Sequence, residues 1–184
     1  MAKLYKQKAR KEYVCNKCGS TINKGDEYYK VEAMYQRTKI RCIHCKPERS
    51  ELTGSEYYSW LWDLQDHVAE RYDLRSEEGR DELYSELENM RDELQDKLDN
   101  MPEQLQYASS GETLQERIDS IEDALNELDN AEFPDEDDYR VEEEDIEGLP
   151  EDEISDIIED KKREYEDALD EYEQVLIDAV GNIE

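Results

Sequence analysis

The apolar positions of this chain follow one period before about residue 50 and another after it. In Glu27-Tyr28-Tyr29-Lys30-Val31-Glu32-Ala33-Met34-Tyr35, Tyr and Val interleave with charge, which predicts a strand. Arg37-Thr38-Lys39-Ile40-Arg41 predicts a second, shorter one. From residue 55 the spacing becomes helical. Ser55 precedes Tyr57, Trp60/Leu61, Leu64, Val68 and Tyr72, with Tyr58 and Trp62 widening the apolar face. Ser76 is placed to cap a second helix over about 77–100, striped by Leu83, Leu87, Met90, Leu94, Leu98 and Met101 and stopped by Pro102. Ser109-Ser110-Gly111 reads as a loop. Leu114, Ile118, Ile121, Leu125 and Leu128 then form a two-heptad seam on a third helix, suited to pair with the second as an antiparallel hairpin.

Residues 129–149 lose the period. They hold many acids and a single base, Arg140, and predict an extended or disordered linker. Pro150 sits at a helix start, with Glu151, Asp152 and Glu153 at the positive end of the helix dipole. Ile154, Ile157/Ile158, Tyr165, Ala168/Leu169, Tyr172 and Val175/Leu176 stripe that last helix, and Gly181 closes it. The expected class is α+β, mostly α: a small β-rich module followed by an acidic helical hairpin, three-helix bundle or coiled coil. The predicted divisions are 1–50, a basic metal module; 51–75, an aromatic connecting helix packing head on body; 76–129, the hairpin; 130–149, the acidic linker; and 150–184, the C-terminal amphipathic helix.

Composition explains why no single large core is expected. Of 184 residues 36% are hydrophobic and 41% charged, against the roughly 45–50% apolar usage of ordinary globular domains. The net charge of −30 is also unevenly placed. Residues 1–50 hold 13 Lys/Arg and 5 Asp/Glu, a net of +8, whereas 51–184 hold 10 and 48, a net of −38. A basic head on an acidic body implies different partners for each: nucleic acid or a nucleic-acid enzyme through 1–50, and a protein with a basic surface for the helices. The helical stripes also admit a homo-oligomer. No run approaches the 18 or so apolar residues of a membrane span, and the basic start lacks the apolar segment of a signal peptide, so a reducing, cytoplasmic location is expected.

All four cysteines fall in the head, as Cys15-Asn16-Lys17-Cys18 and Cys42-Ile43-His44-Cys45. Two Cys-x-x-Cys pairs at this separation are a zinc-site spacing, so Cys15, Cys18, Cys42 and Cys45 are the expected metal ligands and zinc the expected cofactor. Four thiolates complete a tetrahedral set, which leaves His44 as a surface histidine and leaves no open position for water. Gly19 directly after Cys18 suits the sharp turn of a zinc knuckle. Two short strands cannot bury a core, so metal must supply much of the stability here. Lys3, Lys6, Lys8, Arg10 and Lys11 read as a solvated basic arm.

Cys15-Asn16-Lys17-Cys18, Ile22, Lys24 and the following strand resemble the opening of the poly(ADP-ribose) polymerase-type zinc finger. That family runs Cys-x-x-Cys, Ile-x-Lys, a strand, then His-x-x-Cys. The resemblance covers residues 15–45; Cys42 stands where the family has histidine, and the family's long insert is shortened. It implies recognition of DNA ends and nicks. The small size, modular build and acidity of the whole chain look like those of tailed-phage accessory proteins.

Lys17, Lys24, Lys30, Arg37, Lys39 and Arg41 interleave with Tyr28, Tyr29 and Tyr35, the mixture of cations and aromatics that single-stranded or distorted nucleic acid requires. No Gly-rich phosphate loop is present, and neither histidine is paired with a nucleophile, so no catalytic residue is expected and the chain reads as a non-enzymatic regulatory or interaction protein. The alternative is a nucleic-acid mimic that inhibits a DNA- or RNA-binding defence enzyme, its helical carboxylates standing in for phosphates. Acid-rich surfaces also suit proteins working in high salt, though the Lys-rich head argues against that.

Overall fold

The computed structural model describes residues 3–32, 38–142 and 146–184. The fold is α+β and mostly α, and the chain divides into two compact units, 1–67 and 68–184.

The first unit is built on short antiparallel pairings. Strands β1 (Lys3–Lys8), β4 (Glu27–Glu32) and β5 (Lys39–Cys42) form a sheet in the order β1-β4-β5. The register sets Lys6 opposite Tyr29 and Tyr28 opposite Cys42. A second sheet pairs β2 (Tyr13–Val14) with β3 (Thr21–Ile22). The expected basic arm is therefore a strand. Every residue of β1 is exposed, and its lysines shield the free edge from pairing with another chain. The Gln7 side chain donates to the Tyr28 hydroxyl (2.6 Å), which ties that edge inward. The strand expected over 27–35 is described only as far as Glu32, and the remainder lies outside the described residues.

Ala9, Cys15, Ile22, Tyr28 and Cys42 form a buried cluster in the head, with Tyr13, Ile40 and Cys45 packed on it, and Val31 of β4 is buried as well. Few of these are aliphatic, so burial alone is a thin source of stability. A short 3-10 turn at Arg49–Leu52 leads to helix α1 (Glu56–Arg71), and the Tyr58 backbone N–H reaches the Ser55 hydroxyl (3.4 Å) at its start. Tyr57, Leu61, Leu64 and Val68 are its buried residues; both tryptophans are half-buried, Trp62 stacked with Tyr58 (5.3 Å between centroids).

The second unit is helical: α2 (Glu77–Asp99), α3 (Glu103–Gln106), α4 (Ser109–Asn130) and α5 (Glu151–Gly181). Ser76 caps α2 as expected, accepting from the Gly79 N–H at 3.0 Å. Leu83, Leu87 and Leu94 of α2 are buried, as are Ile118, Ile121, Leu125 and Leu128 of α4, and α2 packs on α4. α5 packs on α4 in turn, but only its second half is buried, through Leu169, Tyr172, Leu176, Ala179 and Val180. The apolar positions of its first half remain half-buried or exposed, with Ile158 51% exposed.

Two expectations need correcting. Ser109-Ser110-Gly111 is not a loop but the first turn of α4. Gly111 is what allows this, because a Cβ there would lie 2.0 Å from the Gln106 carbonyl oxygen, so only glycine lets the helix begin so close to the preceding turn. The acidic segment also carries structure in its described part. Phe133 stands edge-on to Tyr172 (5.3 Å), a 3-10 turn spans Glu136–Tyr139, and Tyr139 meets Tyr165 (5.4 Å). Two aromatic contacts therefore pin a chain whose charge alone would keep it extended. No helix among the described residues is long and apolar enough to cross a membrane.

Candidate metal centre

The β2–β3 hairpin carries Cys15, Cys18 and Gly19 in its loop, and β5 delivers Cys42 and then Cys45. The hairpin closes through the Cys15 N–H to the Ser20 carbonyl (2.9 Å) and the Gly19 N–H to the Cys15 carbonyl (3.0 Å). Gly19 has φ +72°, a left-handed conformation that side chains disfavour, and the turn needs it. The second knuckle closes in the same way, with the Cys45 N–H donating to the Cys42 carbonyl (3.0 Å). Asn16 joins the two knuckles. Its backbone N–H donates to the Ile40 carbonyl (2.8 Å), and its side-chain Oδ1 accepts from the Ile40 N–H (2.6 Å).

The result brings together all four expected ligands. The sulfurs of Cys15, Cys18, Cys42 and Cys45 lie within 4.8 Å of one another. Cys18 and Cys42 Sγ are 3.7 Å apart, far beyond the roughly 2.05 Å of a disulfide, and all four cysteines are free. Zn–S bonds of about 2.3 Å in a tetrahedron place sulfurs about 3.8 Å apart, so the spacing fits a metal ion such as zinc. His44 is exposed beside this set.

The electrostatics of the cluster favour thiolate on the buried side. Burial of Cys15 opposes its charged form, but backbone N–H groups of Cys18, Cys42 and Lys17 turned toward its sulfur outweigh that and lower its pKa to about 6. One of them, the Cys42 N–H, is 3.3 Å from Cys15 Sγ. Ser20 lowers Cys18 in the same sense, by side-chain and backbone hydrogen bonds. Cys45, facing the sulfurs of Cys18 and Cys42, is pushed up to about 12. Three neighbouring sulfurs thus make the fourth reluctant to ionise until a cation enters.

The six cations expected to contact a partner fall in different places. Lys17 pairs with Glu48, Lys30 with Glu32, and Lys39 with Glu51 (3.5 Å). Arg41 is buried and pairs with Glu51. Burial works against charge on Glu51, but the Arg41 guanidinium beside it keeps its carboxyl below the ordinary range. Lys24 is exposed and, among the described residues, makes no ion pair; Arg37 lies outside the described residues. Four of the six are thus engaged by carboxylates of the same unit. Lys3, Lys8, Arg10 and Lys11, on and after the edge strand β1, are exposed instead.

A second group of ligand-type side chains was not foreseen. Glu48, Asp63 and His67 place their donor atoms within 4.8 Å of one another. Asp63 and His67 are four apart on α1, a spacing that could have flagged them. Existing bonds already account for this group: His67 Nδ1 is 3.0 Å from the Asp63 carbonyl oxygen, and Glu48 holds Lys17 and caps the Arg49–Leu52 turn. Comparison with protein-family models, with curated proteins and with solved structures finds no match for this chain.

Proposed function

We propose that this is a non-enzymatic, zinc-stapled interaction protein, in which a basic head contacts nucleic acid and an acidic helical unit binds a basic protein surface. The observation that carries it is the closed four-sulfur cluster in a head that has little other core. A site with four protein ligands has no position for a substrate or activated water, so its contribution is structural. The +8/−38 partition supports the two-partner reading, because the acidic unit repels the polyanion that the head attracts. Within the head, the exposed cations Lys3, Lys8, Arg10, Lys11 and Lys24 are the proposed phosphate contacts, since Arg41 is buried and Lys17, Lys30 and Lys39 already answer carboxylates.

The test is an electrophoretic shift of a single-stranded oligonucleotide by the full zinc-loaded chain at low salt. Binding should weaken steeply with added salt, and Lys8→Glu/Arg10→Glu/Lys11→Glu should abolish it while leaving bound zinc unchanged. A wild-type chain that holds one zinc yet shifts nothing at low salt rules out the nucleic-acid role of the head.

A further inference from the structure

Within the second unit, α5 and the acidic segment that precedes it enclose an open cavity of about 1110 Å³. One wall is a stripe of α5, with Tyr165, Ala168, Tyr172 and Val175; the other is the pinned segment around Phe133 and Tyr139. The two aromatic contacts, Phe133 on Tyr172 and Tyr139 on Tyr165, join the two walls, and Phe133, Tyr139 and Tyr165 are half-buried while Tyr172 is buried. Val175, 46% exposed, is an apolar residue of the same wall.

The charge around these rings is one-sided. Seven carboxylates line the cavity, among them Glu132, Asp135, Glu136 and Glu171, against one base, Arg80. Arg80 is already engaged by Asp81 (2.9 Å), whereas among the described residues none of the seven carboxylates makes an ion pair. Tyr172 at the wall is buried, 4% exposed, and its hydroxyl forms no well-formed hydrogen bond although Arg80 lies beside it. A buried hydroxyl without a well-formed hydrogen bond, carboxylates without ion pairs and the half-buried rings of Tyr139 and Tyr165 together call for a cationic group with both donors and a flat face. A guanidinium has both: it donates in a planar fork to carboxylates and stacks on aromatic rings, which an ammonium does less well.

We propose that this groove is the docking site for an arginine-rich peptide segment of a partner protein, its guanidinium groups lodged between the aromatic pairs and the ring of carboxylates. The inference rests on the proposed binding of a basic protein surface by the acidic unit and assigns that binding to one place. Arginine side chains of the segment reach the rings, while flanking residues follow the acidic wall. At the far side of Tyr139 and Tyr165 the surface is mixed in charge, with Arg140, Lys161 and Lys162 beside Glu136 and Asp137.

The test uses the full zinc-loaded chain and a fluorescein-labelled arginine-rich nonapeptide, followed by anisotropy at about 0.1 M salt. Neutralising the groove with Glu132→Gln/Asp135→Asn/Glu136→Gln should weaken binding at least tenfold more than Glu116→Gln/Glu122→Gln/Asp123→Asn, which removes equal charge from the exposed face of α4. Tyr139→Ala/Tyr165→Ala should weaken it about tenfold. The lysine version of the peptide should bind several-fold more weakly than the arginine one. Equal losses for the two charge triples overturn the groove while leaving the acidic unit as a binder of basic surfaces. Equal affinity for the lysine peptide, or an undisturbed affinity in the tyrosine pair, overturns the guanidinium assignment. No binding by the wild-type chain removes both the groove and the reading it rests on.

Discussion

Asn16 and Ile40 exchange two hydrogen bonds across 24 residues of chain, one from each backbone N–H, and the Asn16 side chain supplies one of the acceptors. Asn16 lies between the first two cysteines and Ile40 lies two residues before the third, so this pair holds the two halves of the sulfur cluster in register. Asn16→Ala removes the Oδ1 acceptor and leaves the Ile40 N–H without its partner. Zinc affinity should fall about tenfold or more, the range seen when groups that orient metal ligands are lost. Asn16→Asp keeps an acceptor and should lose far less. Competition against a chromophoric chelator measures both, and an unchanged affinity in Asn16→Ala would show that the knuckles hold their register without it.

Proton release on zinc uptake is the second expectation. Metal ligation needs four thiolates. In the metal-free cluster Cys45, pushed up to about 12, still carries its proton at pH 7, while Cys15, held at about 6, does not. Zinc must therefore expel at least the Cys45 proton at neutral pH and, below about pH 6, the Cys15 proton as well. The sign follows: affinity falls with falling pH, and the slope of log affinity against pH steepens as pH drops through 6. Calorimetric zinc titrations in buffers of different ionisation enthalpy count the protons released. An affinity independent of pH between 5 and 8, as order-of-magnitude bounds, would contradict it.

Glycines in the helical unit should respond in opposite directions. Gly79 and Gly111 each occupy the third position of a helix, and a Cβ would meet the Asp73 and Gln106 carbonyl oxygens, each at 2.0 Å. Backbone atoms cannot move aside as a flexible side chain can. Gly79→Ala and Gly111→Ala should each lower the unfolding midpoint despite alanine's better helix propensity. Gly181, in the last turn of α5, has open space around its Cβ position, so Gly181→Ala should stabilise by about 0.5–1 kcal/mol. Thermal unfolding followed by circular dichroism separates the cases, and a stabilised Gly111→Ala would contradict the close approach.

These glycines also mark how far the sequence could be read. The leucine and isoleucine seams of α2 and α4, the Ser76 cap and the cysteine quartet carry local, periodic or stoichiometric signals, and each was legible. Gly111 reads as a loop residue because a glycine after two serines has the composition of one; the carbonyl that makes it obligatory belongs to Gln106, and only packing reveals that. β1 has the sequence of a tail because its hydrogen bonds go to Glu27–Glu32 and leave no apolar alternation behind, all six of its residues being exposed. Phe133 carries no signal for a related reason. It is one apolar residue in an acidic run, and its partner Tyr172 lies 39 positions later on another element. Asn16 and Glu48 carry no compositional signal, because each acts through a contact made elsewhere in the fold, whereas Asp63 and His67 carry only their helical spacing.

Salt should act on the two kinds of charge in the helical unit with opposite sign. Arg75 bonds Glu173 (3.1 Å), Glu166 (3.2 Å) and Asp170, three carboxylates along one face of α5, and is itself 41% exposed. Such an exposed network contributes little at ordinary ionic strength, about 1 kcal/mol or less. Its removal, however, leaves three like charges within two turns of one helix. Arg75→Gln should therefore lower the unfolding midpoint by a few degrees at low salt, with the deficit shrinking as the Debye length contracts from about 30 Å at 0.01 M to about 3 Å at 1 M. The wild-type midpoint should rise over the same range, because an acidic unit with so few bases is limited by self-repulsion that salt screens. The two curves converge at high salt if repulsion dominates. If the wild-type midpoint instead falls with salt, attractive pairs outweigh the net charge, and the acidity has to be explained by the demands of a partner alone.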